Sequence, residues 1–156
     1  MVTKIIFLIT LLAYSIIVSQ SFMYILALKK VQLNLEAKPY IELRKLIDIN
    51  MRSNFKYVIY AALLANLMLV ILTGNNPGSL VFITATIAFV ALVADILLTV
   101  KGNLPINAII NKWPDDSYPA NWTEYRKQWF HIFQYRQIAN ITGFVSLLIG
   151  VVFRLQ

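Results

Sequence analysis

A single carboxylate, Asp95, lies inside an apolar stretch from Leu80 to Val100 that holds no other charged residue. An ionised side chain away from water must pair with a cation or take up a proton. Helical spacings of three and four place small and polar residues on the same face as Asp95: Thr84, Ala88, Ala91, Thr99 and Gly102. Such stripes face other helices inside membranes. Asp95 is therefore predicted to point inward, either as a proton acceptor or substrate ligand, or as half of a buried ion pair that fixes the packing.

A second group of candidate residues lies between Trp122 and Gln137. Spacings of four and three place these on one helical face: Trp122, Arg126, Trp129, Phe133 and Arg136. Two interpretations stay open. The stretch is an interfacial helix with tryptophans at headgroup depth, or a lid whose arginines hold an anionic or enolate-like ligand. His131 lies about 140° around the helix from Arg126, so we expect it in solvent or among headgroups. The candidate partners of Asp95 are Arg126, Arg136, Arg52 and Lys56.

Every apolar run contains at least one polar residue that is costly inside a membrane. These residues are Gln20, Asn66, Asp95 and Asn140. With about 1.5 Å of rise per residue, all four are expected within about 15 Å of one membrane face. They are predicted to form one polar layer, in which Gln20 and Asn66 either make interhelical hydrogen bonds or contribute to a site.

Four apolar runs position these side chains, and they cover residues 5–28, 57–73, 80–100 and 138–153. The second run follows a mixed apolar and charged segment, and Pro39 suits a helix start, so one long helix from Pro39 to Thr73 is expected. The residues from Gly74 to Gly78 are typical of a turn. The sequence predicts one all-α integral membrane domain, residues 1–156. Its architecture is a four-transmembrane-helix bundle with a long cytoplasmic extension of helix 2 and an interfacial helix before helix 4.

The composition supports a membrane protein and excludes several kinds of chemistry. Hydrophobic residues make up 59% of the chain and charged residues only 13%, about half the usual fraction for a soluble domain. Without cysteine and with the single histidine His131, the chain lacks the ligands for disulfides, iron–sulfur clusters and multi-histidine metal sites. No cofactor and no metal are expected. The net charge of +7 comes from basic residues beside the apolar runs, which favours a bilayer and not a nucleic acid as partner.

The basic residues also predict an orientation. Twelve of the 14 lysines and arginines lie in the two long polar connections, and only Lys4 and Arg154 lie on the opposite side. Positive charge accumulates on the cytoplasmic side of membrane proteins. Both long connections are therefore predicted in the cytoplasm and both termini outside, in a cell inner membrane.

The segment after the third run combines turn-forming and amide residues. Gly102 permits a sharp exit from a helix, and Pro105 suits the first turn of a following one. Asn103 is expected to cap that second helix, whereas Asn107 is expected to bind either loop backbone or a ligand carbonyl.

This segment and the helix after it carry a resemblance to a known family. Asn103, Pro105 and Asn107 form an Asn-x-Pro-x-Asn pattern, and Arg126, Trp129 and Arg136 form an Arg-x-x-Trp…Arg pattern. Together they resemble the anthrone oxygenase-like family of small four-helix membrane proteins, most of unknown function. Fungal members oxidise polyketide anthrones to anthraquinones with molecular oxygen, without an evident metal or flavin.

The resemblance implies a cofactor-independent oxygenase or oxidoreductase acting on a small aromatic or quinol-like molecule in a cytoplasm-facing pocket. In this hypothesis Asp95 takes a proton and Arg126 and Arg136 stabilise the resulting oxyanion. Asn107 orients the substrate and Trp129 stacks on its ring, while Asn103 and Gln20 complete the binding residues. The alternative is a non-catalytic membrane subunit or assembly factor, either as part of an oligomer or with a different membrane protein as partner.

Overall fold

A computed structural model describes residues 1–114 and 117–153, which form four long helices joined by short connections. The helices are α1 (Val2–Asn34), α2 (Ala37–Thr73), α3 (Leu80–Asn111) and α4 (Trp122–Val152). Each is long and apolar enough to cross a membrane. The expected all-α class with four apolar helices is confirmed. Arg154, which entered the charge count, lies outside the described residues.

Local sequence explains where the helices begin and end. Ser79 caps α3, because its side chain accepts a hydrogen bond from the Phe82 amide at 3.2 Å. Two hydrogen-bonded turns between Thr73 and Ser79 connect α2 to α3, in the segment that its residue types predicted as a turn. The long second helix is also found, and Pro39 lies in its first turn, where a missing amide hydrogen costs nothing.

Three of the four helices contain one π-helical turn, which the sequence did not predict. These turns are Tyr24–Leu28 in α1, Met51–Phe55 in α2 and Thr99–Asn103 in α3. A π turn holds one residue more than an α-helical turn and is frequent at functional sites. Each turn shifts the helical phase, so the side chains after it face a different direction from those of an unbroken helix.

The third π turn corrects the expectations for Gly102 and Asn103. The chain does not leave the helix at Gly102 but continues through the π turn to Asn111, and the Asn103 side chain caps no helix. Gly102 serves instead for close contact between helices, because an added Cβ would lie 2.7 Å from Cγ2 of Ile132 in α4.

The expectation of a separate interfacial helix before helix 4 is wrong. Residues 122–152 form one unbroken helix of 31 residues, without a turn near Gln137. Trp129, Phe133 and Arg136 are buried, so the face that they share packs inward rather than along a membrane surface. The prediction that these residues share one helical face is confirmed. The polar residues between them lie on the outer face of the same continuous helix.

Helix packing divides the interior into an apolar half and a half rich in aromatic and polar side chains. The most extensive packing is between α3 and α4, and α1 also packs on α2 and α4. One cluster has small and aliphatic residues around Tyr14, whose hydroxyl donates to the Ala88 carbonyl at 3.2 Å. The other centres on Tyr24, Tyr40, Trp129 and Phe133. The candidate site lies where the second cluster adjoins the π turns of α2 and α3.

Candidate ligand cavity between α2 and α3

A cavity of about 260 Å³ lies between α2 and α3, at the level of their π turns. Residues of both π turns form its walls, including Met51, Phe55, Thr99 and Asn103. Trp129 and Arg136 of α4 and Gln20 of α1 also line it, so all four helices contribute. Most of the accessible wall area is apolar, although ten of the 18 lining residues are polar or charged, and such a combination suits a small molecule with an apolar body and polar groups.

Asp95 pairs with Arg136 in this wall. The Arg136 Nε atom donates to Asp95 Oδ1 at 2.7 Å, and the Asp95 side chain is only 1% exposed. Arg136 Nη1 also donates to Asn103 Oδ1 at 3.1 Å, and Asn103 Nδ2 donates to the Trp129 carbonyl at 3.0 Å. Among the partners proposed for Asp95, the structure selects Arg136. Asn103 holds Arg136 in place and ties α3 to α4.

A second buried carboxylate, Asp48 of α2, was missed by sequence reasoning. Its Oδ1 accepts from Asn107 Nδ2 at 2.7 Å, and its Oδ2 accepts from Asn111 Nδ2 at 2.7 Å and from Arg52 Nε at 2.9 Å. Asn107 therefore binds a side chain of α2, and not loop backbone. The sequence did contain a signal, since Arg44, Asp48 and Arg52 recur every four residues on one helical face.

Arg44 is the most unusual residue of the cavity wall, because its charge is buried without a carboxylate. The residue is 3% exposed, and its guanidinium lies over the Trp129 ring, 3.9 Å from the centroid. Nη1 donates to the Tyr24 hydroxyl at 3.4 Å, whereas Nε has no partner. Among the described residues, Arg44 forms no ion pair. Arginine is almost never fully buried unless it is paired, so this cation has capacity for an added anion or oxygen ligand.

The structure does not bring Arg126 to Asp95, contrary to the predicted role. Arg126 does not line the cavity. Its Nη1 donates to the carbonyls of Gln32 at 3.2 Å and Leu35 at 2.9 Å, at the end of α1. Helix ends leave carbonyls without intrahelical partners, and Arg126 satisfies two of them. Its guanidinium also lies 4.5 Å from the centroid of the Trp122 ring. Arg126 thus fastens α4 to the end of α1.

The predicted polar layer is found only in part. Gln20 lines the cavity with Asp95, and its Nε2 lies 3.9 Å from the Met51 sulfur. Asn66 and Asn140 are buried but do not line the cavity. With its amide suitably oriented, Asn66 bonds the Ala85 carbonyl and the Phe89 amide of α3, both at 3.1 Å. Asn66 therefore joins α2 to α3 by hydrogen bonds, nearer the start of α3. His131 is exposed, as expected.

The charges along the wall favour an anionic or electron-rich ligand. Four cationic residues line the cavity, against two carboxylates: Arg44, Arg52, Lys56 and Arg136, against Asp48 and Asp95. Arg52 and Arg136 are paired with these carboxylates. The excess of two positive charges therefore rests on Arg44 and Lys56.

Metal coordination is not built into this wall. Within residues 1–114 and 117–153, no three histidine, aspartate or glutamate side chains lie close enough together to hold a metal ion.

Comparisons with protein-family models, curated proteins and solved structures find no match for this chain. The resemblance to the anthrone oxygenase-like family stays a prediction, and the site has to be interpreted from its own geometry.

Proposed function

We propose that the protein crosses a cell inner membrane as a four-helix bundle, with its cavity on the cytoplasmic side and both termini outside. The four long apolar helices and the accumulation of lysine and arginine in the two long connections support this orientation. A cysteine placed at residue 2 is expected to react with a membrane-impermeant thiol reagent added to intact cells. A cysteine at Lys30 is expected to react only after lysis, and the reverse pattern would contradict the orientation.

Within that frame, we propose that the cavity binds a small aromatic molecule with a phenolic or quinol-like oxygen. The observation that carries this proposal is Arg44, a buried cation over Trp129 that has no ion-pair partner among the described residues. Nearby, Trp129 Nε1 is a donor and Asn107 Oδ1 an acceptor that likewise find no partner in the part of the chain that the structure describes. A phenolic hydroxyl both donates and accepts, so it matches both kinds of atom. The apolar remainder of the wall suits the ring.

The reaction that we propose is the cofactor-independent oxidation implied by the family resemblance. Asp95 is suited to take a proton from an activated ring CH₂ group, because its Oδ2 forms no hydrogen bond with the described residues. Arg44 and Arg136 stabilise the negative oxygen of the resulting enolate. The enolate carbon then bonds to dioxygen, and the O–O bond breaks. The second C–H bond of the same carbon breaks together with the O–O bond. One oxygen atom stays as the new carbonyl, and the other leaves as water with one proton returned by Asp95 and one from the carbon, so that CH₂ and O₂ become C=O and H₂O.

The test uses the purified, reconstituted protein with an anthrone as probe. The unaltered protein is expected to bind the anthrone and to consume dioxygen. Arg44→Gln is expected to weaken binding by about ten- to a hundredfold, since hydrogen bonds to charged groups contribute about 1.5–3 kcal/mol. Asp95→Asn is expected to retain binding and lose oxygen uptake.

Lys127→Gln serves as the matched control, because it removes a positive charge from an exposed position of α4 outside the cavity. Equal binding by Arg44→Gln and Lys127→Gln would reject the site. Binding without oxygen uptake would leave a binding protein and reject the oxidation. Absence of binding together with a stoichiometric copurifying chain would favour the non-catalytic membrane subunit.

A further inference from the structure

The cavity opens on the side of the molecule, through a window between two helices. Contacts between α2 and α3 bound the window at both ends. The segment of α2 after its π turn packs on the first part of α3, and residues 37–50 pack on residues 104–111. Between these contacts the two π turns face the cavity. Tyr60 is 57% exposed and Val100 is 54% exposed, although both line the cavity. A ligand can therefore reach the interior between α2 and α3.

The window has a cationic edge and an apolar edge. Arg52 and Lys56 form the first, and both are exposed. Ile59, Tyr60, Ile96 and Val100 form the second. From Arg52 to Tyr60 the helix rises about 12 Å, so the two edges lie at different depths along α2. In the proposed orientation the cationic edge meets lipid headgroups and the apolar edge meets acyl chains.

The size of the cavity limits which part of a ligand it can enclose. A volume of about 260 Å³ is slightly below the usual range of about 300–1,000 Å³ for sites that bury a whole drug-sized molecule. It suits a compact aromatic ring system. Any longer apolar part must leave through the window, where the Ile96 and Val100 side chains meet it.

We infer that the ligand is an amphiphile that enters from the bilayer: an aromatic quinol whose ring occupies the cavity and whose alkyl tail stays in the lipid. This inference rests on the proposed binding of a phenolic or quinol-like ring and specifies that ligand; it does not depend on the proposed oxidation, because a quinol has no ring CH₂ group. The ring oxygen binds Arg44, and the tail passes between α2 and α3 along the apolar edge. Such a molecule enters through the window from the side, so its alkyl tail never has to leave the lipid for bulk water.

The test compares a decyl-substituted benzoquinol with its methyl-substituted analogue, using protein in phosphatidylcholine vesicles. Native mass spectrometry of the protein released from the vesicles measures the fraction of protein that carries bound quinol. The decyl compound partitions into lipid and is diluted when lipid is added. Doubling the lipid at constant protein is expected to raise its half-saturating total amount about twofold and to leave that of the methyl compound unchanged.

Variants at the window provide the second arm of the experiment. Val100→Phe narrows the apolar edge and is expected to weaken binding of the decyl compound by about tenfold, the equivalent of roughly two buried CH₂ groups. Val90→Phe is the matched control, since Val90 is 61% exposed on the same helix and does not line the cavity. It is expected to bind like the unaltered protein.

The outcomes separate this inference from the proposal on which it rests. Equal effects of the two phenylalanine variants on binding of the decyl compound would overturn entry from the bilayer. Binding of the methyl compound alone would reject the tail and leave the proposed aromatic site intact. If neither quinol binds, both this inference and the quinol-like ligand of the proposed function are rejected.

Discussion

Replacement of Arg136 by leucine is expected to lower the free energy of unfolding by about 3–5 kcal/mol, because it leaves the Asp95 carboxylate buried without its cation. Unfolding by denaturant in detergent, followed by tryptophan fluorescence, measures this difference. The loss arises from the orphaned charge, so the double variant Asp95→Leu/Arg136→Leu is expected to recover most of the stability.

Arg52→Leu is the comparison that isolates burial. Arg52 also pairs with a carboxylate, at 2.9 Å, but its side chain is 52% exposed, and Asp48 keeps two amide donors after the substitution. The expected loss is therefore that of one partly exposed hydrogen bond, about 0.5–1.5 kcal/mol. Similar losses for Arg136→Leu and Arg52→Leu would contradict a special role of the buried pair. So would a double variant that is less stable than Arg136→Leu alone.

Insertion of an alanine after Ser53 is expected to abolish ligand binding while the protein stays helical. The π turn Met51–Phe55 already holds one residue more than an α-helical turn, so the added residue has to be taken up as helical rotation. The first part of α2 then rotates by about 100° relative to the second. Arg44 and Asp48 consequently leave the cavity wall. Binding of an aromatic probe and the far-ultraviolet circular dichroism spectrum report the two properties separately.

Ser53→Ala is the matched control for the insertion. It keeps the chain length and removes only an exposed hydrogen bond, from Ser53 Oγ to the Asn50 carbonyl at 3.0 Å. This variant is expected to bind like the unaltered protein. Normal binding by the insertion variant would show that the helical phase of α2 does not position Arg44.

The sequence predicted the features that depend on local chemistry. Four helices follow from apolar runs that are long enough to cross a membrane, and the inward direction of Asp95 follows from the small residues at helical spacing around it. The same spacing rule predicted that Trp129, Phe133 and Arg136 share one helical face, and all three are buried. These patterns are properties of one helix and need no knowledge of its neighbours.

Features that depend on contacts between helices could not be predicted. Arg44 was counted as a loop cation, because nothing in its neighbourhood indicates that Trp129, 85 residues later, lies beneath it. The π turns were invisible for a similar reason, since an extra residue in a turn is tolerated only where tertiary packing selects it. Arg126 and Arg136 share one helical face, yet one binds the end of α1 and the other binds α3. Residue type and spacing alone do not distinguish their partners.

The unbroken course of α4 has a mechanical consequence. Arg126 holds the carbonyls at the end of α1, and Arg136, less than three turns later on the same rod, holds Asp95 of α3. Because α4 is one continuous helix held at these two points, a displacement at one contact is transmitted to the other. Any tilt of α4 that lengthens the Arg126 hydrogen bonds to α1 must also strain the Arg136–Asp95 pair, so the end of α1 and the buried charge pair move together.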